Sequence, residues 1–169
     1  MCISKLIGLA PVINTQTKLV ILGSFPGQQS LSKQQYYAHP RNQFWPLLSA
    51  IFNHDLNVLT YTERLQAVLD YGLGIWDVYA TCQRIGSLDS AITGGIVNPL
   101  EQLWLHAPSL QAIAHNGGLS WRNASCIKNI AIAVYRLPSS SPAHARMSFA
   151  EKLQIWRAVL ARHLPINRD

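Results

Sequence analysis

The sequence predicts an α/β fold: a mostly parallel sheet covered by helices on both faces. Three observations lead there. Apolar runs of strand length recur along the chain, and segments with helical periodicity separate them. The first such run, residues 18–22 (KLVIL), ends on Gly23, as a buried parallel strand does. Strands that alternate with helices make βαβ units.

Taken in order, residues 42–52 read as a helix, with Pro46 tolerated in its first turn. Residues 62–71 read as a second helix, capped by Thr62 and stopped by Gly72. Residues 73–80 (LGIWDVYA) form the next strand. Asn98-Pro99 supplies a helix start, an Asn cap followed by Pro at the first helical position, and that helix ends before Pro108. Residues 110–114 are a strand, 117–124 a short helix and 130–137 a strand with partial alternation. Ser148 and Glu151 make a capping box that opens a last helix running to about His163. No repeat, low-complexity tract or linker interrupts the 169 residues, so one domain spanning 1–169 is expected.

A hydrophobic fraction of 49% and a mean hydropathy of +0.09 describe a compact globule rather than a disordered chain. No apolar run approaches the roughly 18 residues of a membrane span. Residues 1–10 carry Lys5 inside a short apolar stretch, and no secretion signal is read there. Cys2, Cys82 and Cys126 are scattered and odd in number. That suits a reducing cytoplasm, offers no metal spacing and is too few for a four-cysteine iron–sulfur cluster.

The net charge is +6 and the pI about 9.5. No Asp or Glu occurs in residues 1–54 or 102–150, which hold Lys5, Lys18, Lys33, Arg41, Arg122, Lys128, Arg136 and Arg146. A phosphate backbone would meet such surfaces favourably. On charge alone, a nucleic-acid partner and a merely basic protein are equally supported.

Ligands of open parallel sheets bind at loops beyond the carboxyl ends of the strands. Two unusual loops are expected there. The first contains Gly23-Ser24-Phe25-Pro26-Gly27, then Ser30, Lys33, Tyr36, Tyr37, His39, Arg41, Asn42 and Phe44. Its glycines let the backbone turn sharply and approach a ligand, and its aromatic and basic side chains suit an unstacked base and its phosphates. Phe44 and Trp45, at helical spacing, fit core packing better. The second loop is Leu137-Pro138-Ser139-Ser140-Ser141-Pro142-Ala143-His144, followed by Arg146. Its hydroxyls and free N–H groups suit phosphates, although an ordinary Ser/Pro loop reads the same way.

Together these segments resemble the uracil-DNA glycosylase superfamily, and within it the DNA-deoxyinosine (hypoxanthine-DNA) glycosylase branch. Gly23 to Gly27, Ser30-Leu31, Tyr36-Tyr37, His39-Pro40 and Asn42-x-Phe44-Trp45 are similar to that branch's first motif, and Leu137 to Ala143 to its second. Gly86-Ser87-Leu88-Asp89 also resembles the branch. The resemblance implies a three-layer α/β/α sandwich with a four-stranded, mostly parallel sheet. It implies hydrolysis of the bond joining a damaged base to deoxyribose after the base is flipped out. DNA containing a damaged base would be the partner and the protein a monomer, with no metal, cofactor or membrane.

Many superfamily members carry a carboxylate or Asn where this chain has Phe25, and many uracil-specific ones a His where it has Leu137. The resemblance therefore leaves Asn42 as the catalytic candidate, positioning water. On residue type alone, helix N-capping is the commoner job for that Asn. Ser24, Phe25, Gly27, Tyr37, His39 and Asp77 are expected around the base. Pro26, Ser30, Ser139, Ser140, Ser141, Pro142, His144 and Arg146 are expected against DNA. Asp77 either contacts the base or caps the strand end. His115-Asn116-Gly117 reads first as a turn and second as a pocket wall. The alternative to an enzyme is a catalytically weak DNA- or nucleotide-binding module of the same fold, which the loss of a carboxylate at Phe25 keeps open.

Overall fold

The computed structural model describes residues 5–127 and 131–166. Cys2, Lys128 and the first residue of the strand expected at 130–137 lie outside the described residues. Four parallel strands form the central sheet: β2 (Leu19–Gly23), β3 (Leu73–Asp77), β6 (Ala112–Asn116) and β7 (Ala133–Leu137), in the order β3-β2-β6-β7. From β2 the chain moves outward to β3, then crosses back past β2 to β6 and β7. Right-handed crossovers put the β2–β3 connection on one face of such a sheet and the later ones on the other. That reversal opens a crevice between the carboxyl ends of β2 and β6.

The helices are α1 (Gln28–Lys33), α2 (Phe44–Phe52), α3 (Tyr61–Asp70), α4 (Leu103–His106), α5 (Gly118–Arg122) and α6 (Phe149–Leu160). Leu19, Val20, Ile21 and Leu22 are fully buried, as a central parallel strand requires. Helix α2 packs on α6 through an edge-to-face contact of Phe44 with Trp156, ring centroids 5.9 Å apart.

Several expected boundaries shift for identifiable reasons. The cap of α3 is Thr60, not Thr62: its side chain accepts from Glu63 N–H, and Glu63 answers at 2.8 Å from Thr60 N–H. Gly72 does follow the helix, with φ +79°. Helix α2 begins at Phe44 rather than Asn42. Asn98 does not cap. Its side chain donates to the Asp77 carbonyl at 2.8 Å, and only a 3₁₀ turn, Leu100–Gln102, precedes α4.

The strand expected over residues 73–80 is two strands. Val78 N–H donates to Gly23 O and Tyr79 N–H to Ser24 O, and the chain then leaves the parallel sheet. Its continuation, β4 (Tyr79–Gln83), joins a small antiparallel sheet with β1 (Lys5–Ile7) and β5 (Thr93–Val97), in the order β1-β4-β5. The sequence reading had no such sheet. Strand β1 is too short for a period to show, and β5 (TGGIV) is interrupted by two glycines.

The last helix is as expected. Ser148 Oγ accepts from Glu151 N–H, and Glu151 accepts from Ser148 N–H at 2.7 Å. Among the described residues no helix is long and apolar enough to cross a membrane. Ser148→Ala should lower stability by about 1 kcal/mol, read as a shift of the urea midpoint with an unchanged m-value.

Candidate active site

A cavity of about 310 Å³ fills the crevice at the strand ends. Its walls come from the loop after β2, the end of β3, the turn at 87–89, the end of β6 and the serine loop after β7.

Gly23 pairs with Asp77 across β2 and β3. A Cβ on Gly23 would collide with Asp77 Oδ1, so the missing side chain is what admits the carboxylate beside the strand. Asp77 is 4% exposed and lines the cavity, and its Oδ2 has no hydrogen-bond partner among the described residues. Burial pushes its pKa up to about 7, the negative Asp89 pushes the same way, and Arg84 opposes both.

Tyr37, at φ +54°, stacks on Phe44 with centroids 3.7 Å apart. Its hydroxyl accepts from Asn116 Nδ2 at 3.2 Å, and burial holds the phenol far above its ordinary pKa. Asn116 also donates to Ser140 Oγ at 2.9 Å and accepts from Ser140 N–H at 2.9 Å. One amide thus ties the first loop, β6 and the serine loop together.

A second clamp lies beneath. Lys152 on α6 is 2% exposed and donates to Gln43 Oε1 at 2.8 Å and His144 O at 2.9 Å. Gln43 N–H donates to Ser140 O, and Trp156 Nε1 to Pro138 O at 3.0 Å. A buried ammonium needs such acceptors, and here they hold both loops to one helix.

Asn42 lines the cavity, and its Oδ1 accepts from Phe44 N–H at 2.9 Å. Asn42 is therefore not the helix cap, a place taken by Gln43; its bond closes a turn onto the first helical residue. The same bond fixes the side chain, whose Nδ2 has no partner among the described residues. His39 lines the cavity with Nδ1 accepting from Arg41 N–H at 3.1 Å. Ser24 donates to Asp89 Oδ1 at 2.6 Å. Phe25 is buried, with Arg84 over its ring at 5.2 Å, and Arg84 also donates to the Pro26 carbonyl. At Gly27 a Cβ would meet Ser87 at ordinary contact distance, so a large side chain there would have to displace Ser87.

The structure gathers almost every expected residue around this cavity: Ser24, Phe25, Pro26, Gly27, Ser30, Tyr37, His39, Asn42, Asp77, Ser139, Ser140, Ser141, Pro142 and His144. Arg146 is exposed and is not part of the wall. Ser30 Oγ accepts from Ala38 N–H, and Ser140 is 1% exposed with its hydroxyl engaged by Asn116, so both brace loops. His115 and Asn116 end strand β6 rather than forming the expected turn, and Asn116 and Gly117 form wall. His115 is buried instead: Ser120 Oγ donates to Leu22 O and so accepts from His115 Nδ1–H at 2.8 Å. Burial lowers its pKa to about 4.

Sequence reasoning missed Lys152, Gln43 and Arg84, whose partners lie far along the chain, and gave Asp89 no role. Among the described residues no group of three His, Cys, Asp or Glu side chains converges on a metal position.

The uracil DNA glycosylase superfamily model matches residues 10–160. The chain belongs to that superfamily. It is 37% identical over 155 residues to a Methanosarcina barkeri protein named hypoxanthine DNA glycosylase, a match covering 92% of this chain and 98% of that one. A Methanosarcina acetivorans protein of the same name is 33% identical over 156 residues, with the same coverage. The solution NMR structure of a putative uracil DNA glycosylase from Methanosarcina acetivorans superposes with a TM-score of 0.85 at 31% identity, covering 94% of this chain and 98% of that one.

For this superfamily member the raised pKa of Asp77 has a measurable consequence. Unfolded, the carboxyl titrates near its ordinary 3.8; folded, near 7. Between those values the folded chain holds the extra proton, so this group makes stability fall as pH rises from about 4 to 7. Asp77→Asn should flatten that fall, on the order of a few kcal/mol, in urea melts taken across the window.

Proposed function

We propose that this chain is a monofunctional DNA glycosylase that releases hypoxanthine from deoxyinosine after base flipping. The observation that carries the reading is the buried, unpartnered Asp77 Oδ2 inside a cavity walled by Gly27. Hypoxanthine presents a protonated N1 beside O6, and N1–H would supply the donor that Oδ2 lacks. Adenine presents a lone pair at N1, which an ionised Asp77 repels. A buried mismatch of donors and acceptors is penalised more than a mismatch of bulk. With no side chain at Gly27, the wall leaves room for a purine. The names borne by the Methanosarcina relatives support the same substrate.

Cleavage builds positive charge on the sugar and negative charge on the departing base. Asn42, fixed by its bond to Phe44 N–H, would position water through its amide. The serine loop and the exposed cations Lys33, Arg41 and Arg146 would meet the DNA backbone. The folded unit is read as one domain acting as a monomer in the cytoplasm. The engagement of Asn42 Oδ1 by Phe44 N–H favours one other reading, a weakly catalytic DNA-binding module.

Single-turnover assays on matched oligonucleotides test both. Hypoxanthine should be released faster than uracil, with thymine and adenine spared; release of uracil much faster than hypoxanthine would sink the substrate reading. Asn42→Ala should slow release at least about 100-fold while lesion-DNA affinity changes little. Full activity in the folded variant would leave Asn42 with its turn bond to Phe44 alone. No protein–DNA adduct should be trapped by borohydride, because no lysine among the described residues lines the cavity.

Affinity for the lesion duplex should fall steeply with salt, with a log–log slope of a few units. An affinity unchanged between low and moderate salt would rule out the phosphate contacts.

A further inference from the structure

The hydrolytic reading leaves one proton without a destination. Water bonding to C1′ must lose a proton, and a neutral amide such as Asn42 is too weak a base to take it. The cavity wall contains no Lys or Arg and two carboxylates, Asp77 and Asp89. Asp77 is sealed at the base end beside Gly23. Asp89 is an exposed residue that also lines the cavity, with its carboxyl turned inward onto Ser24, so it lies nearer the opening than Asp77, on the side from which a flipped nucleotide would enter.

Asp89 is also held in place. Ser24 O–H donates to its Oδ1 at 2.6 Å, while Oδ2 has no partner among the described residues. Its turn is fixed from both sides: Gln28 N–H donates to Ser87 Oγ at 2.9 Å, and Arg84 donates to the Pro26 carbonyl. A carboxylate at that position repels the phosphates of bound DNA in the ground state. It attracts the sugar only when positive charge develops at C1′. An interaction that is unfavourable on binding and favourable in the transition state is the kind that accelerates a reaction.

We propose that Asp89 is a second catalytic residue of this site, facing C1′ to stabilise the sugar cation and to accept the proton of the attacking water. This rests on the glycosylase reading above. The C1′–N9 bond breaks and its electron pair leaves with hypoxanthine. The water oxygen bonds to C1′, and its proton passes to the Asp89 carboxylate and on to solvent. The hypoxanthine anion takes a proton from solvent. Asp77, Arg84, Tyr37 and Cys82 are the charged or titratable groups in electrostatic contact with Asp89 among the described residues. Burial raises the pKa of Asp89, and the Ser24 hydrogen bond and Arg84 oppose that rise without cancelling it.

Asp89→Asn keeps an oxygen for the Ser24 bond and removes the charge. Its single-turnover release of hypoxanthine should fall at least about 100-fold, while affinity for the lesion duplex stays equal or tightens and Tm is retained. In Asp89→Ala, added formate should restore the rate at least about 10-fold, as a free carboxylate replacing the missing one, and should do nothing for Asp77→Asn. Release by Asp89→Asn within a few-fold of wild type overturns the proposal. So does a loss that merely follows affinity and Tm with no formate rescue. If the wild-type protein releases uracil and not hypoxanthine, the substrate reading fails while the same variants, run on uracil, still decide Asp89. No release of either base by the wild type overturns both.

Discussion

The reversal of strand order at β2 is the constraint on which the site depends. Loops after β2 and β6 leave in opposite directions, so no main chain fills the gap between them. Polar side chains must close it, and every one of them has to be satisfied. Asn116 does so with three hydrogen bonds, to Tyr37 and to both ends of Ser140. Lys152 does so from below with two. The cavity is what remains when these clamps are in place, with Asp77 the one buried carboxylate left with an open valence toward it.

Charge is divided sharply across this architecture. The exposed cations lie outside the cavity, and the wall itself carries two carboxylates and no cation. The outside therefore draws the polyanion in, while the inside selects for groups that donate hydrogen bonds or become positive. The low accessibility of Asp77 makes that selection costly to the fold, as its elevated pKa reflects.

The parallel sheet was legible in the sequence because β2, β3 and β6 are buried runs with little polarity, and because Ser148 and Glu151 announce α6. The cavity wall was legible because motif-bearing loops follow strand ends. Other features were not. Thr60 and Thr62 are equivalent as letters, and only the reach of Glu63 distinguishes them. The break at Val78 lies inside an apolar run that reads as continuous. Lys152 sits 109 residues from Gln43, and nothing local marks a helix lysine as buried. Asn42 was read both as cap and as water-positioning group. The cap of α2 is instead Gln43, and the bond from Phe44 N–H holds Asn42 in a turn just before it, a distinction of one residue that the letters do not show.

The turn at 84–91 joins β4 to β5 of the small sheet and docks on the loop after β2, through Arg84 on the Pro26 carbonyl and Gln28 N–H on Ser87 Oγ. Gly86 has φ +79°, and a Cβ there would meet nothing within 4 Å. Its glycine is required by backbone angle alone, and Asn, which tolerates that angle, could stand in its place. Gly86 is thus the free position of this turn, whereas Arg84, Ser87 and Asp89 are each bonded to the loop after β2. Descendants of such a protein can re-letter the turn at Gly86 and reshape the rim of the cavity there, so long as its three bonds to the loop after β2 are kept.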